Sequence, residues 1–181
     1  MRPLSEEELK LFLEKLSRYI GTGVRQLVER ADEPHVFRLH NQRVYYVGES
    51  LLKKAGCAAR KNLASLGVCF GKFTHSGKFH LQITCLDFLA RLAKYKVWLK
   101  PGGEQHFLYG NHAVKAHLRR ITEDVPRNAG VVIFSEQGDL PLGFGTAAKS
   151  TSECRDAPAE AIVVYHQSDI GEYLRDESNL V

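Results

Sequence analysis

The chain has 181 residues, 44% of them apolar and 25% charged, with a formal net charge of +4. That length holds one large domain or two small ones, and either can bury a sizeable core. No stretch approaches the ~20 apolar residues of a transmembrane helix, and Met1-Arg2-Pro3-Leu4 runs into Glu6, Glu7 and Glu8 rather than the apolar core of a secretory signal. A soluble cytosolic or nuclear protein with no membrane partner is expected.

The first element is a helix. Ser5 followed by Glu8 has the spacing of a capping box, Leu9, Phe12, Leu13, Leu16 and Ile20 recur on one face, and Gly21 supplies the stop. After a short helix over Val24 to Val28, Val36 to His40 and Val44 to Val47 predict a hairpin around Asn41-Gln42. Glu49 to Leu66 is helical in character but broken by Gly56. In it Leu51, Leu52, Ala55, Leu63 and Leu66 face a core, and Lys53, Lys54, Arg60 and Lys61 form an exposed basic ridge. Val68 to Phe73 and Lys78 to Thr84 predict a second hairpin, and Leu86 to Leu92 a closing helix. The first part is therefore α+β, antiparallel strands with helices packed on them.

From residue 94 the character changes. Lys96 to Leu99 and Gln105 to Leu108 predict strands joined across Pro101-Gly102-Gly103. Asn111 caps a small helix over His112 to Leu118, and strands follow at Gly130 to Ser135, Leu140 to Ala147 (after a Gly138-Asp139 turn) and Ala161 to Tyr165. Short strands at close spacing with glycine-containing turns predict a small closed sheet or barrel. The boundary falls near 93–95, giving domains 1–93 and 94–181.

Charge follows this division. Residues 1–92 carry 15 Lys/Arg against 9 Asp/Glu, a net +6, whereas residues 93–181 carry 10 against 12, a net −2. Within the second part Lys94, Lys96, Lys100, Lys115, Arg119 and Arg120 face only Glu104 over residues 94–120, and the remainder is acidic. A basic segment suits an anionic partner, although solvated surface is the ordinary place for charge.

Catalytic and metal chemistry find little support. Cys57, Cys69, Cys85 and Cys154 have no short spacing, which predicts reduced structural thiols. His112 and His117 are five apart and do not share a helix face, and the other histidines stand singly, so neither metal nor cofactor is expected. Gly143-Phe144-Gly145 with Ala148 fits a loose dinucleotide-binding spelling, but it ends a predicted antiparallel strand with no clear helix after it and no βαβ unit around it. The acids of the first part beyond its first helix, Glu29, Asp32, Glu33, Glu49 and Asp87, form no evident catalytic pair. The chain is expected not to be an enzyme. Trp98, beside Lys96 and Lys100, reads as closing the domain junction or as a platform for a base.

One constellation is specific. Gly110-Asn111-His112-Ala113-Val114, the apolar strand Gly130-Val131-Val132-Ile133-Phe134, the Gly138-Asp139 turn and Leu140-Pro141-Leu142-Gly143-Phe144-Gly145-Thr146-Ala147 together resemble the PUA domain, an RNA-binding pseudo-barrel. The fold class is then α+β, an N-terminal antiparallel sheet with helices followed by a C-terminal PUA-like pseudo-barrel. Gly143 and Gly145 either relieve packing at a barrel corner or leave room for an RNA backbone; both are ordinary roles of strand glycine.

Over its whole length the chain resembles the Nip seven family of 60S ribosomal subunit biogenesis factors. The segments Leu4-Ser5-Glu6-Glu7-Glu8, Gly67-Val68-Cys69-Phe70-Gly71-Lys72-Phe73-Thr74 and Leu108-Tyr109-Gly110-Asn111-His112 carry that resemblance. It implies a protein of the nucleus and nucleolus that joins large-subunit precursors and supports pre-rRNA processing, binding RNA through the second domain and pre-60S assembly proteins mainly through the first. On the PUA surface Lys115, Arg119, Arg120 and Lys149, beside Gly143 and Gly145, would contact RNA, with accessible single-stranded or loop bases preferred. Nothing in the sequence demands a dimer, and a monomer is expected. A second reading is a protein-interaction adaptor in pre-ribosomes whose PUA domain does not bind RNA unaided. In it Lys53, Lys54, Arg60 and Lys61 dock acidic partner segments. The net −2 of the second part and its acidic C-terminal segment (Glu172, Asp176, Glu177) favour that version.

Overall fold

Ser5 and Glu8 set the first element, α1 (Glu6–Ile20). Each caps the other: the Glu8 amide donates to Ser5 Oγ and the Ser5 amide to Glu8 Oε2. Arg2 adds a two-pronged bond to the Glu8 carboxylate at 2.8 and 2.6 Å, holding that carboxyl well below its usual range, at about 2. The computed structural model describes residues 1–59 and 63–180. They divide into two compact units, one of Met1–Ser17, Gly21–Cys85 and Ser178–Val181, the other of Arg18–Ile20 and Leu86–Glu177. The closing helix, read from the sequence with the first part, falls in the second unit.

In the first unit α2 (Val24–Val28) is followed by a four-stranded antiparallel sheet of β1 (His35–His40), β2 (Arg43–Gly48), β3 (Val68–Phe73) and β4 (Phe79–Leu81), in that order. The β1–β2 turn has two residues, Asn41 and Gln42, both at positive φ, the twist a tight hairpin needs. Phe12 of α1 is fully buried and meets Phe37, Phe70 and Phe79, with ring centroids 4.7, 6.2 and 5.2 Å away. One helix face and three strands thus share an aromatic core.

Two expectations fail here. α3 (Glu49–Ala55) covers only the start of the predicted helix and buries no side chain; Leu51, expected inward, is exposed. Its C-terminal cap is Gly56, the residue that breaks the helical pattern. Lys53 and Lys54 lie in its last turn. Arg60 and Lys61 lie outside the described residues. After β4 the chain enters a 3-10 turn over Ile83–Cys85 rather than continuing as strand to Thr84.

The second unit contains α4 (Leu86–Leu92), β5 (Lys96–Leu99), α5 (Pro101–Leu108), β6 (Ala113–Val114), β7 (Leu118–Ile121), β8 (Gly130–Ser135), β9 (Pro141–Ala147), α6 (Thr151–Asp156), β10 (Ile162–Asp169) and α7 (Glu172–Arg175). Its six strands run β6-β10-β9-β8-β5-β7, antiparallel except for the β5–β8 pair. The two end strands are joined by only Lys115–His117. The four steps from Val114 to Leu118 reach at most ~14 Å, so the sheet must roll until its ends nearly meet, giving a barrel that is almost closed. Val97, Leu99, Phe107, Val131, Ile133 and Val163 fill it.

Three local predictions are corrected. Gln105 to Leu108 is helix, not strand: Pro101 occupies the first turn of α5, where its missing N–H is no loss. His112 to Leu118 is strand, 3-10 turn and strand rather than a helix. Asn111 donates its side-chain amide to His106 O near the end of α5 instead of capping a following helix, and Ala113 and Val114 pair with β10. Finally, a helix does follow the glycine pair. Ser150 and Glu153 form on α6 the same reciprocal cap as Ser5 and Glu8 on α1.

Gly143 and Gly145 sit where β9 crosses an irregular stretch of β10, with a register shift between His166 and Ser168. A Cβ on Gly143 would fall 2.3 Å from Ser168 O and one on Gly145 2.2 Å from Tyr165 O. The missing side chains make room for the chain's own backbone.

Candidate nucleic-acid interface

Trp98 stands in the middle of a cross-strand row. Its register partners are Arg120 on β7 and Phe134 on β8. The Arg120 guanidinium carbon lies 3.7 Å from the centre of the indole, and Phe134 packs alongside it at 5.8 Å with a 28° tilt. Lys96, two residues back on β5, holds its ammonium 5.3 Å from the Phe134 ring centre. The indole N–H donates to Asp139 Oδ1 at 2.6 Å. Asp139 reaches it from the β8–β9 turn, at φ 50°, next to Gly138 at φ 79°. Trp98 was read from the sequence as closing a junction or stacking a base; all these partners belong to the second unit.

Neighbouring strand residues ordinarily point to opposite faces. Here the β5–β7 register shifts, Trp98 opposing Arg120 and Leu99 opposing Leu118, so Arg119 is the extra residue of a bulge. A bulge re-aims side chains, and Arg119 lines the same cleft as Arg120, Trp98, Glu136 and Asp139. Arg119 Nε pairs with Glu136 Oε1 at 2.7 Å, both side chains partly in solvent. Glu136 is itself fixed by its backbone, whose amide donates to Leu99 O and to the Glu104 carboxylate.

The remaining residues proposed from the sequence are elsewhere. The Lys115 ammonium donates to the carbonyls of Arg155 and Ala157, at 2.6 Å each, at the end of α6. Lys149 adjoins Ser150, the N-cap of α6. The structure thus brings Arg119 and Arg120 together on one cleft and sets Lys115 and Lys149 at the two ends of a short helix. Gly143 and Gly145 are buried in β9. In the first unit Lys54 is exposed and Lys53 lies 4.0 Å from Glu49.

Glu136 and Asp139 were not picked out from the sequence, because single acids near a turn look like solvated surface. Trp98, Arg120 and Phe134 sit on three strands, with α5, β6 and a 3-10 turn between the first two, so their alignment needed the pairing of β5 with both β7 and β8.

Among the described residues, His166, Asp169 and Glu172 offer ligand atoms within 4.8 Å of one another. These atoms already have partners. Asp169, fully buried, accepts from His166 Nε2, from Arg175 at 2.7 Å and from the Gly171 amide, while Glu172 accepts from Ser168. Burial pushes the Asp169 carboxyl upward, but the bonds from His166, Arg175 and Gly171 outweigh it and hold the group ionised below its ordinary range. The cluster is a closed charge network with a cation of its own.

Comparison with known proteins places these features in a family. A model described as the NIP7/UPF0113 pre-PUA domain matches residues 1–83, and one described as the UPF0113 PUA domain matches residues 95–178. Relatives include the 60S ribosome subunit biogenesis protein nip7 of Schizosaccharomyces pombe, 57% identical, and the NIP7 homolog of Xenopus tropicalis, 59% identical. Each alignment covers 99% of both chains. Among solved structures, the chain shares its fold with a PUA-domain protein of Aeropyrum pernix (TM-score 0.62, 16% identity, 99% of this chain and 90% of that one). It is also similar to one from Thermoplasma acidophilum (TM-score 0.56, 15% identity, 96% and 95%). With both parts matched and more than half of its positions identical to these relatives from end to end, the chain belongs to the NIP7 family of 60S ribosome subunit biogenesis proteins.

Proposed function

We propose that this protein is a non-enzymatic assembly factor of the large ribosomal subunit that holds RNA through its second unit and so supports pre-rRNA processing in the nucleus and nucleolus. The observation that carries the reading is the bulge that delivers Arg119 and Arg120 together to a cleft beside Trp98. Guanidinium groups and aromatic faces are the parts from which single-stranded RNA sites are built. The Arg119–Glu136 pair is partly solvated. Such pairs contribute about 0–1 kcal/mol, so exchanging Glu136 for an RNA phosphate costs little. Lys149, beside the N-cap of α6 and away from the cleft, adds a separate phosphate contact, while Lys115 holds the other end of α6. The protein works as a monomer and takes single-stranded or looped segments.

The test is the Arg119→Ala, Arg120→Ala double variant. It keeps its melting temperature within a few degrees, binds single-stranded RNA more weakly, and shows a shallower dependence of affinity on salt because fewer phosphates are neutralised. Unchanged affinity in the folded variant contradicts the site.

A second reading has support of its own. Lys115 is engaged by backbone carbonyls, Arg119 by Glu136, and the second half carries a net −2. The protein would then act as an adaptor, held in pre-60S particles through Lys53, Lys54, Arg60 and Lys61. Charge reversal at those four positions releases it from the particles on this reading and leaves it bound on the first.

A further inference from the structure

We infer that the cleft between Trp98, Arg119, Arg120, Glu136 and Asp139 is a slot for one unpaired guanine base, an inference that rests on the RNA-binding reading above. The cleft measures about 380 Å³, within the size range of small-ligand sites. Its charge is balanced, two guanidiniums against two carboxylates. A phosphate entering it would meet repulsion as well as attraction. An uncharged base carrying both donors and acceptors meets complementary groups on every side.

The arrangement already has the form of a stacking platform. Asp139 fixes the indole through its N–H, Phe134 supports the indole, and the indole holds Arg120 at 3.7 Å. Arg120 is exposed, so its outer face is open to a base, and bases stack on guanidinium planes as they do on aromatic rings. Ordering this side chain beforehand removes part of the entropy that binding would otherwise lose.

The edge chemistry selects guanine. A carboxylate presents two acceptors side by side, and guanine alone among the four bases presents two adjacent donors, N1–H and the 2-amino group. Adenine and cytosine place an acceptor beside their amino group, and uracil flanks its single N–H with carbonyls. Glu136 lies at the cleft with one oxygen on Arg119 and its backbone pinned by Leu99 and Glu104. Guanine N1–H and N2–H donate to the Glu136 carboxylate, and Arg119, released from it, turns to the O6/N7 edge or to the adjoining phosphate. Lys96, two residues before Trp98 on β5 and over the Phe134 ring, supplies a further phosphate contact.

The experiment uses the full chain and three short U-rich single strands, identical except at one central position that is guanosine, inosine or uridine. Affinity is read by fluorescence anisotropy, and stacking is read by the emission of Trp98, the one tryptophan of the chain. The guanosine strand is expected to bind about tenfold more tightly than the uridine strand, with inosine, which lacks the 2-amino group, between them. Only the guanosine and inosine strands alter Trp98 emission strongly. Glu136→Gln, which turns one acceptor into a donor, brings the three strands to a common affinity. Arg120→Lys, which keeps charge but loses the planar face, removes the emission change. Equal affinity of the unaltered protein for all three strands overturns the guanine slot while leaving RNA binding in place. Failure of every strand to bind at low salt overturns both readings and leaves the cleft to a protein partner.

Discussion

Arg120 rests its guanidinium 3.7 Å from the centre of the Trp98 ring, and a bulge in β7 brings Arg119 to the same cleft. The pair is a surface contact whose stacking stabilises the fold only slightly, by about 0.5–1 kcal/mol. Its value is positional: it holds a cationic plane facing outward on a strand at the end of the sheet. Arg120→Ala should therefore lower the melting temperature by only a few degrees while changing the emission of Trp98 in the free protein. A large loss of stability, or an unchanged spectrum, would mean that the contact is not the one described.

Lys115 separates structural from RNA-facing charge. Its ammonium holds the carbonyls of Arg155 and Ala157 at the end of α6. Lys115→Met keeps the aliphatic stem and removes the donors, so it should destabilise the second unit by about 1–2 kcal/mol. RNA affinity of the folded protein should stay unchanged. A selective loss of RNA affinity at constant stability would return Lys115 to the interface.

The glycines of β9 are predicted to be intolerant for reasons internal to the barrel. Gly143→Ala drives a methyl to 2.3 Å from Ser168 O, against backbone that cannot yield, and should destabilise the protein by about 1–3 kcal/mol. Gly102→Ala in α5 is the control, since an added Cβ there has nothing within 4 Å. It should be neutral or stabilising by up to about 1 kcal/mol. Chemical denaturation of the two variants decides between them.

Acid should weaken both units through carboxyls held below their ordinary range. Glu8 is lowered to about 2, mainly by Arg2, and Asp169 is lowered by His166 and Arg175 against the opposing effect of burial. A depressed folded-state value means the stabilisation is complete above the unfolded value, about 4 for either group, and is lost as pH falls through the folded one. Stability should thus decline below about pH 4.5. Glu8→Gln, which keeps an acceptor for the Ser5 amide, should flatten part of that decline. Asp169→Ala, which leaves the half-buried His166, the exposed Arg175 and the Gly171 amide without their shared acceptor, should lower stability by about 1–3 kcal/mol even at neutral pH. An acid limb unaltered by Glu8→Gln would assign the decline to other carboxyls.

The readable parts of the sequence were those where local signals agree with tertiary packing. The Ser5–Glu8 cap, the Phe12 face and the Asn41-Gln42 turn each declare themselves within a few residues, and the glycine-marked strand of the second half fixed its family. Failures came where short segments carry two signals. Gln105 to Leu108 alternates like a strand, yet Pro101 starts a helix that includes it. Asn111 suits an N-cap, yet it bonds backward to His106. The Ser150–Glu153 cap has the same spacing as the first and was hidden by the glycine pair before it. The cleft itself was only half legible: Arg119, Arg120 and Trp98 drew notice as cations and as an aromatic, but their convergence depends on a bulge and on a parallel strand pair, which no local pattern encodes.

The most direct test of the central claim is a salt titration of single-stranded RNA binding by the intact protein, with a matched duplex beside it. Binding should prefer the single strand, weaken steeply as salt rises, and lose part of that slope in the Arg119→Ala, Arg120→Ala variant. Absence of binding at low salt, or the same slope in the folded variant, would contradict the claim.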